Sequence, residues 1–241
     1  MRLPPEARPM HIPIVRPDLG DVEVEAVSRV IRSGWVAQGP EVAAFEREFA
    51  AAVGAPFAVA VSNCTAGLEL SLRVAGVKPG DAVATVSHSF IATANAVVAA
   101  GARPIFVDIQ PATYNMDPAA LARAITPATR AILCVHQIGL PCDLPAILAV
   151  ARPLGIPVIE DAACAIGTEI WMGDRWQRVG QPHGLLACFS FHPRKLVTTG
   201  DGGMITTADP ALADRLRLLR QHALATPTAG PGAQPPLESF S

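Results

Sequence analysis

Short apolar runs rich in β-branched residues alternate with helix-length amphipathic stretches along most of the 241-residue chain. The predicted strands are Phe57–Val61, Ala82–Val86, Pro104–Asp108, Ala131–Val135, Pro157–Glu160 and Ala187–Phe191. Strands that are apolar on both faces and separated by helices are typical of a parallel sheet covered on both sides. The pattern therefore predicts an α/β fold of three layers, with a mostly parallel central sheet between two layers of helices.

Seven stretches with helical periodicity complete this pattern. They are Val22–Arg32, Glu41–Val53, Ala66–Ala75, Ile91–Ala100, Pro118–Ala124, Leu144–Leu154 and Ala211–His222. Asp117 followed by Pro118 has the chemistry of a helix N-cap and first turn. Residues 223–241 contain four prolines and almost no apolar periodicity. We expect one domain over residues 1–222, including an N-terminal arm, and a disordered tail over residues 223–241.

The composition excludes several classes of protein. Half of the residues are hydrophobic and 17% are charged, which allows a sizeable core and excludes a disordered chain. The net charge of −2 argues against a protein that coats nucleic acid. No segment supplies the ~20 consecutive apolar residues of a membrane span, and no secretory signal is visible at the start. The five cysteines form no CxxC pair, so we expect a reducing, cytoplasmic setting without disulfides.

Lys195 lies just after a predicted buried strand and faces a glycine-rich turn, Thr198–Gly203. One interpretation is a loop lysine with ordinary solvation. The other is a lysine that forms a Schiff base, because an amine in a partly dry pocket becomes nucleophilic when its charged form is disfavoured. The spacing alone leaves both interpretations open.

Asp161 falls at the carboxyl end of another apolar strand, where open α/β sheets bind their ligands. Because an unpaired buried charge is costly, such a carboxylate needs a cation or hydrogen-bond donors. It could be the N-cap of a helix. Alternatively, it could pair with the protonated ring nitrogen of a cofactor.

Two further segments carry weaker signals. The residues Ser62–Leu68 lead from a strand into a helix, whose first N–H groups could bind an anion or could simply be capped. Phe90, between a strand and a helix, could belong to the core or stack on a planar ring. The chain has no GxGxxG, GxxxxGK[ST] or GxSxG motif, and its histidines lack metal-ligand spacing, so we expect no metal site.

Taken together and in order, these motifs resemble the DegT/DnrJ/EryC1/StrS family of pyridoxal-phosphate-dependent sugar aminotransferases, within the fold-type I, aspartate aminotransferase-like superfamily. The resemblance runs from about Ile12 to His222. It rests on seven segments: Ser33–Pro40, Ser62–Leu68, Phe90–Val97, Phe106–Ile109, His136–Pro141, Glu160–Gly167 and Phe189–Gly203. It implies the large domain of a pyridoxal-phosphate transferase.

The resemblance also implies roles for individual residues. Lys195 matches the lysine that binds the cofactor covalently and carries protons, and Asp161 matches the aspartate that pairs with the pyridinium nitrogen. The remaining matched positions are Thr65, Ala66 and Ser190 at the phosphate, Phe90 over the ring, Cys164 at the ring hydroxyl, and Trp35 and His136 near the substrate. Family members commonly have Gln or His at position 164, and a thiol is a much weaker hydrogen-bond partner.

For the reaction, the resemblance implies transfer of an amino group, usually from L-glutamate, to a nucleotide-linked keto-sugar in a homodimer. Two alternatives stay open. A related sugar dehydratase would carry histidine in place of Lys195, and a remnant would only bind a ligand or a partner. Family chains continue into a smaller C-terminal domain, so we expect this chain to be a fragment or a large domain on its own.

Overall fold

The computed structural model describes residues 12–221, and a seven-stranded sheet forms their centre. The strands of this sheet are β1 (Phe57–Val61), β2 (Ala82–Val86), β3 (Arg103–Val107), β4 (Thr129–Val135), β5 (Val158–Asp161), β8 (Leu186–Ser190) and β9 (Gly203–Thr207), in the spatial order β1-β9-β8-β5-β4-β2-β3. Every pair from β3 to β8 is parallel, whereas β9 runs antiparallel to both of its neighbours. The predicted mostly parallel α/β sheet is confirmed.

The described residues contain seven α-helices. They are α1 (Asp21–Ser33), α2 (Pro40–Val53), α3 (Cys64–Val74), α4 (Ala92–Ala99), α5 (Pro118–Ala124), α6 (Leu144–Ala151) and α7 (Pro210–Leu219). The predicted helix Leu144–Leu154 is shorter than expected, because its last turn, Arg152–Leu154, is a 3-10 helix that contains Pro153. Proline has no N–H to donate to the α-helical ladder. The predicted end of the last helix at His222 and the tail over residues 223–241 lie outside the described residues.

Three strands were not predicted from the sequence. The strand β9 is fully buried, but it begins at Gly203, directly after the glycine-rich turn that we interpreted as loop. The strands β6 (Glu169–Trp171) and β7 (Trp176–Arg178) form a separate two-stranded hairpin. Each has only three residues, too few to show a periodicity.

The core consists of two apolar clusters, one on each face of the sheet. Neighbouring residues of β4 alternate between them, with Ile132 in one cluster and Leu133 in the other. Side chains of α2, α5 and α6 fill the first cluster, and side chains of α3, α4 and α7 fill the second. The molecule therefore has the expected three layers. Within residues 12–221, none of the helices combines the length and the hydropathy of a membrane-spanning segment.

Gly203 allows three elements to meet at one point. In the sheet it pairs with Val61 of β1 and with Ser190 of β8. A Cβ atom at this position would lie 2.7 Å from the backbone nitrogen of Cys64, at the start of α3. Because the obstacle is backbone rather than a mobile side chain, only glycine lets β9 pass this close to α3.

We expect Gly203→Ala to lower the free energy of unfolding by about 3 kcal/mol, because the added methyl group must displace backbone. Gly155→Ala is the matched control. It adds a methyl group at a left-handed glycine with no atom within 4 Å of the new Cβ, so only the conformational cost of about 1 kcal/mol remains. Urea unfolding of both variants measures the difference, and equal losses would contradict the close approach.

Candidate active site

The polar residues predicted to carry chemistry lie at one edge of the sheet. Asp161 is the last residue of β5, Ser190 is the last residue of β8, and Asn63 caps the helix that follows β1. These three strands run in the same direction, so their carboxyl ends meet at the same edge. This edge is where open α/β sheets bind their ligands.

The carboxylate of Asp161 is buried and accepts a hydrogen bond at each oxygen. Thr93 Oγ1 donates to Oδ2 at 2.7 Å, and the backbone N–H of Ala163 donates to Oδ1 at 3.2 Å. Burial raises the pKa of Asp161, and these two donors together with the charge on Lys195 oppose the rise only in part. Within residues 12–221, no Lys, Arg or His side chain forms a salt bridge with it. The site is therefore electrostatically prepared for a cation.

The alternative role of Asp161 as a helix N-cap is wrong. The residues after it, 162–168, form turns and no helix. Its acceptance of the Ala163 N–H belongs to such a turn.

Lys195 lies in the turn that follows β8, and its ammonium group approaches Cys164. The distance from Nζ to Cys164 Sγ is 3.0 Å, and the backbone N–H of Lys195 is held by the carbonyl of His192 at 2.8 Å. The side chain is half-buried. Its charge acts on Asp161, which places the amine and the carboxylate in the same electrostatic environment. These contacts favour the interpretation of Lys195 as a site residue over that of an ordinary solvated loop lysine.

The start of α3 offers hydrogen-bond donors next to Asp161 and Lys195. Burial raises the pKa of the Cys64 thiol, and the charges of both residues also act on that thiol. The N–H of Ala66 is bound by the Asn63 side chain at 2.9 Å, so Ala66 is engaged by the cap. Among the described residues, the N–H groups of Cys64 and Thr65 have no acceptor. They leave the positive end of an 11-residue helix open toward the site.

Ser190 faces the same helix start across Gly203. Its Oγ accepts the backbone N–H of His192 at 3.3 Å, which leaves the hydroxyl hydrogen free to donate. Gly203 pairs directly with Ser190 and lies against Cys64. Gly203 therefore separates the Ser190 hydroxyl from the N-terminus of α3, and both offer hydrogen-bond donors.

Two further predicted site residues lie in loops, Phe90 after β2 and Trp35 after α1. Phe90 is 77% exposed, so its ring is free. Its carbonyl accepts the N–H of Thr93, the residue whose hydroxyl binds Asp161, at 3.1 Å. Trp35 lies after α1, and its indole packs against Gly39. The exposed position of Phe90 excludes the alternative that it belongs to the core.

The prediction that His136 binds substrate does not match its position. Its side chain is fully buried, Nε2 lies 3.0 Å from Glu160 Oε2, and Nδ1 accepts the backbone N–H of Cys142 at 3.2 Å. An acceptor at Nδ1 requires the hydrogen on Nε2, which therefore donates to Glu160. His136 has no free atom to offer to a substrate, because both ring nitrogens hold the interior together.

The sequence reasoning missed an exposed group of side chains beside His136. The Nε2 of Gln137 lies 2.9 Å from His88 Nδ1, and the His88 ring stacks on Tyr114 with 5.2 Å between ring centroids. Tyr114 and Ile138 are the two non-glycine residues with positive φ in the described chain. Strained backbone of this kind often marks functional sites, but it leaves no pattern in the sequence.

Buried Asn115 holds the two strained loops together. Its Nδ2 donates to the carbonyl oxygens of Leu140 and Pro141, and its Oδ1 accepts the N–H of Gln137 at 2.9 Å. The adjoining Gly139 is so close to Cys164 that a Cβ atom would lie 2.9 Å from the Cys164 carbonyl oxygen. The exposed side chains thus continue the surface that begins at Lys195.

The residues present fit the cofactor that the resemblance implies. A phosphate requires donors, which Thr65, Cys64 and Ser190 provide. A cationic ring nitrogen requires a buried carboxylate, which Asp161 provides, and an aldehyde requires an amine, which Lys195 provides. The described residues contain no cluster of His, Cys, Asp and Glu that could hold a metal ion.

Comparison with known sequence families gives a match over residues 17–231, to the DegT/DnrJ/EryC1/StrS aminotransferase family. The chain belongs to this family. The match includes both the helix start after β1 and the turn that carries Lys195. The assignment agrees with the three-layer fold and with the position of the polar residues at its edge.

Individual known proteins are similar to most of this chain. The spore coat polysaccharide biosynthesis protein SpsC of Bacillus subtilis strain 168 is 44% identical over 219 residues, which are 91% of this chain and 55% of SpsC. The structure of DesI in the presence of its TDP-sugar product is 36% identical, with a TM-score of 0.79, over 90% of this chain and 54% of DesI. The sugar aminotransferase Spr1654 of Streptococcus pneumoniae in its PLP form is 31% identical, with a TM-score of 0.80, over 87% of this chain and 58% of Spr1654. The chain therefore spans about half the length of these relatives.

The raised pKa of Asp161 predicts a pH-dependent effect of Asp161→Asn on the ligand-free protein. A carboxyl whose pKa is higher in the folded than in the unfolded state favours folding below its unfolded pKa, and this contribution is lost as the pH rises through the folded pKa. The variant should therefore be more stable than the wild type at neutral pH, and the difference should shrink as the pH falls toward 4. Urea unfolding at several pH values measures it, and a variant that is less stable at neutral pH would contradict an uncompensated buried charge.

Proposed function

We propose that the chain binds pyridoxal 5'-phosphate through Lys195 and forms the cofactor-binding part of an aminotransferase that acts on nucleotide-linked keto-sugars. One observation carries the proposal. One edge of the sheet brings together three groups: the buried carboxylate of Asp161, which has no salt-bridge partner in the described structure, the amine of Lys195 and the open N-terminus of α3.

The bound cofactor supplies an aldehyde that accepts the amino group and a ring that withdraws electrons from the reacting carbon. Asp161 would keep that ring electron-poor by stabilising a proton on its nitrogen, since a nearby cation favours the ionised form of a carboxylate. Thr93 and the Ala163 N–H fix the carboxylate, so its orientation does not have to be established during the reaction.

Lys195 has two tasks in this proposal. Its Nζ would hold the cofactor through the aldehyde carbon. As a free amine, Lys195 would be the base that takes the proton from the Cα of the amino donor and the acid that later returns it. The turn from β8 to β9 keeps the amine close to the site, since the backbone N–H of Lys195 is bound to His192.

The substrate class follows from the relatives and from the exposed surface next to Lys195. DesI was solved with a TDP-sugar product and SpsC is named for polysaccharide biosynthesis, which favours a nucleotide-linked keto-sugar. L-glutamate is the amino donor that the resemblance implies, and we propose it here. Gln137, His88 and Tyr114 offer an amide, an imidazole N–H and an aromatic face beside the site. In place of His136, these three side chains are the proposed sugar contacts, together with Trp35, for which the resemblance implies a place near the substrate.

The other proposed partner is a second copy of the chain. The helix α1 has no buried residue in the described structure, and Val24, Val27 and Ile31 form an exposed apolar stripe at helical spacing. Covering this stripe favours a homodimer. The partners we propose are thus small molecules and a second copy, with neither nucleic acid nor membrane. The five free cysteines agree with a cytoplasmic, reducing setting.

Covalent capture of the cofactor tests the proposal, because the chain contains two lysines, Lys195 and Lys78. Wild-type protein mixed with pyridoxal 5'-phosphate should become coloured, and borohydride should fix the cofactor on the peptide that contains Lys195. Addition of L-glutamate before borohydride should change the absorbance as the amino group passes to the cofactor. Lys195→Ala should lose both signals.

Lys78→Ala is the matched control, since Lys78 lies in the exposed turn before β2 and should be dispensable. Borohydride labelling of Lys78 alone, or an unchanged signal in Lys195→Ala, would refute the cofactor site. Labelling of Lys195 that L-glutamate does not alter would refute the transfer reaction and leave the cofactor site in place.

A further inference from the structure

Cys164 differs from the other four cysteines in its exposure. It is exposed, whereas Cys64, Cys134, Cys142 and Cys188 are buried. Its Sγ also has a cationic neighbour, since Lys195 Nζ lies 3.0 Å away. Accessible thiols are the ones that oxidants reach, and an oxidised sulfur can condense with a nearby nucleophile.

We propose that Cys164 is an oxidative modification site, at which a peroxide joins its sulfur to Lys195 Nζ by a reversible S–N bond. In the first step the Cys164 sulfur attacks hydrogen peroxide, the O–O bond breaks, and the products are a sulfenic acid and water. The sulfur is oxidised by two electrons and the peroxide is reduced. In the second step the lone pair of Nζ attacks Sγ, the S–O bond breaks, and the hydroxyl leaves as water with a proton from the amine.

The backbone on both sides keeps the two atoms together. Gly139 lies directly against the Cys164 carbonyl, and the Thr168 side chain ties the Gly139 carbonyl at 2.9 Å, which fixes the turn that carries Cys164. The N–H of Lys195 is bound to His192. Nζ is thus positioned to reach the oxidised sulfur without rearrangement of the chain. The other lysine, Lys78, precedes β2 and lies at the opposite end of the sheet.

The bridge would switch off capture of the cofactor. The bridge occupies the amine that the proposed function requires, and a thiol reductant frees this amine again. One thiol attacks Sγ and releases Nζ as an amine; a second thiol then frees Cys164 and leaves the reductant as its disulfide. Only this consequence rests on the proposed function, since the bridge itself needs no cofactor.

The test uses the full chain without cofactor, treated with hydrogen peroxide at mildly alkaline pH, digested and analysed by mass spectrometry. The expected product is a peptide pair that joins Cys164 to Lys195, lighter by two hydrogens than the separate peptides and released by dithiothreitol. Cys164→Ser and Lys195→Ala should each lose this product completely. Lys78→Ala should retain it.

Peroxide treatment that oxidises Cys164 without linking it to Lys195 would overturn the inference. A disulfide between Cys164 and Cys64, which influence each other electrostatically, would overturn it as well. Failure of the proposed function is distinguishable, because the linked peptide would still form in a chain that does not capture the cofactor. If the inference and the proposed function both hold, peroxide should abolish borohydride labelling of Lys195 by the cofactor, and dithiothreitol should restore this labelling.

Discussion

The burial of one carboxylate without a cationic partner in the described structure is the constraint on which the site depends. An ionised group in the interior is costly unless something of opposite charge accompanies it. Hydrogen bonds from the hydroxyl of Thr93 and the N–H of Ala163 offset part of this cost, and burial still keeps the pKa of Asp161 raised. A fold that accepts such a group at a ligand-binding edge is organised for a cation that arrives from solution.

The architecture follows from the parallel strands. Because β1, β5 and β8 run in one direction, three residues that are far apart in the sequence meet at one edge: Asn63, Asp161 and Ser190. The antiparallel strand β9 returns through the gap between β1 and β8, and Gly203 at its start lets it pass beside α3. The glycine at the end of this turn therefore serves both the fold and the site, since it brings the strand that pairs with Ser190 against the start of α3.

Much of this could be predicted from the sequence. Six of the seven strands of the main sheet have apolar runs long enough to recognise, and Asp161 and Lys195 stand directly after such runs. The strand β9 escaped prediction because its glycine start resembles a loop, and the β6–β7 hairpin is too short for a pattern. The sequence also does not show which side chains at this edge are buried. His136 points into the core, whereas the neighbouring Gln137 points toward solvent. Thr93 was missed because its role exists only through a contact 68 residues away.

The most direct test of the account is the protonation state of the cofactor's ring nitrogen in the loaded protein. Pyridoxal 5'-phosphate labelled with ¹⁵N in the ring reports this state by its NMR chemical shift. If Asp161 is the counter-charge, the nitrogen should stay protonated well above neutral pH in the wild type and lose its proton at lower pH in Asp161→Asn. A nitrogen that is unprotonated at neutral pH in the wild-type protein would contradict the account.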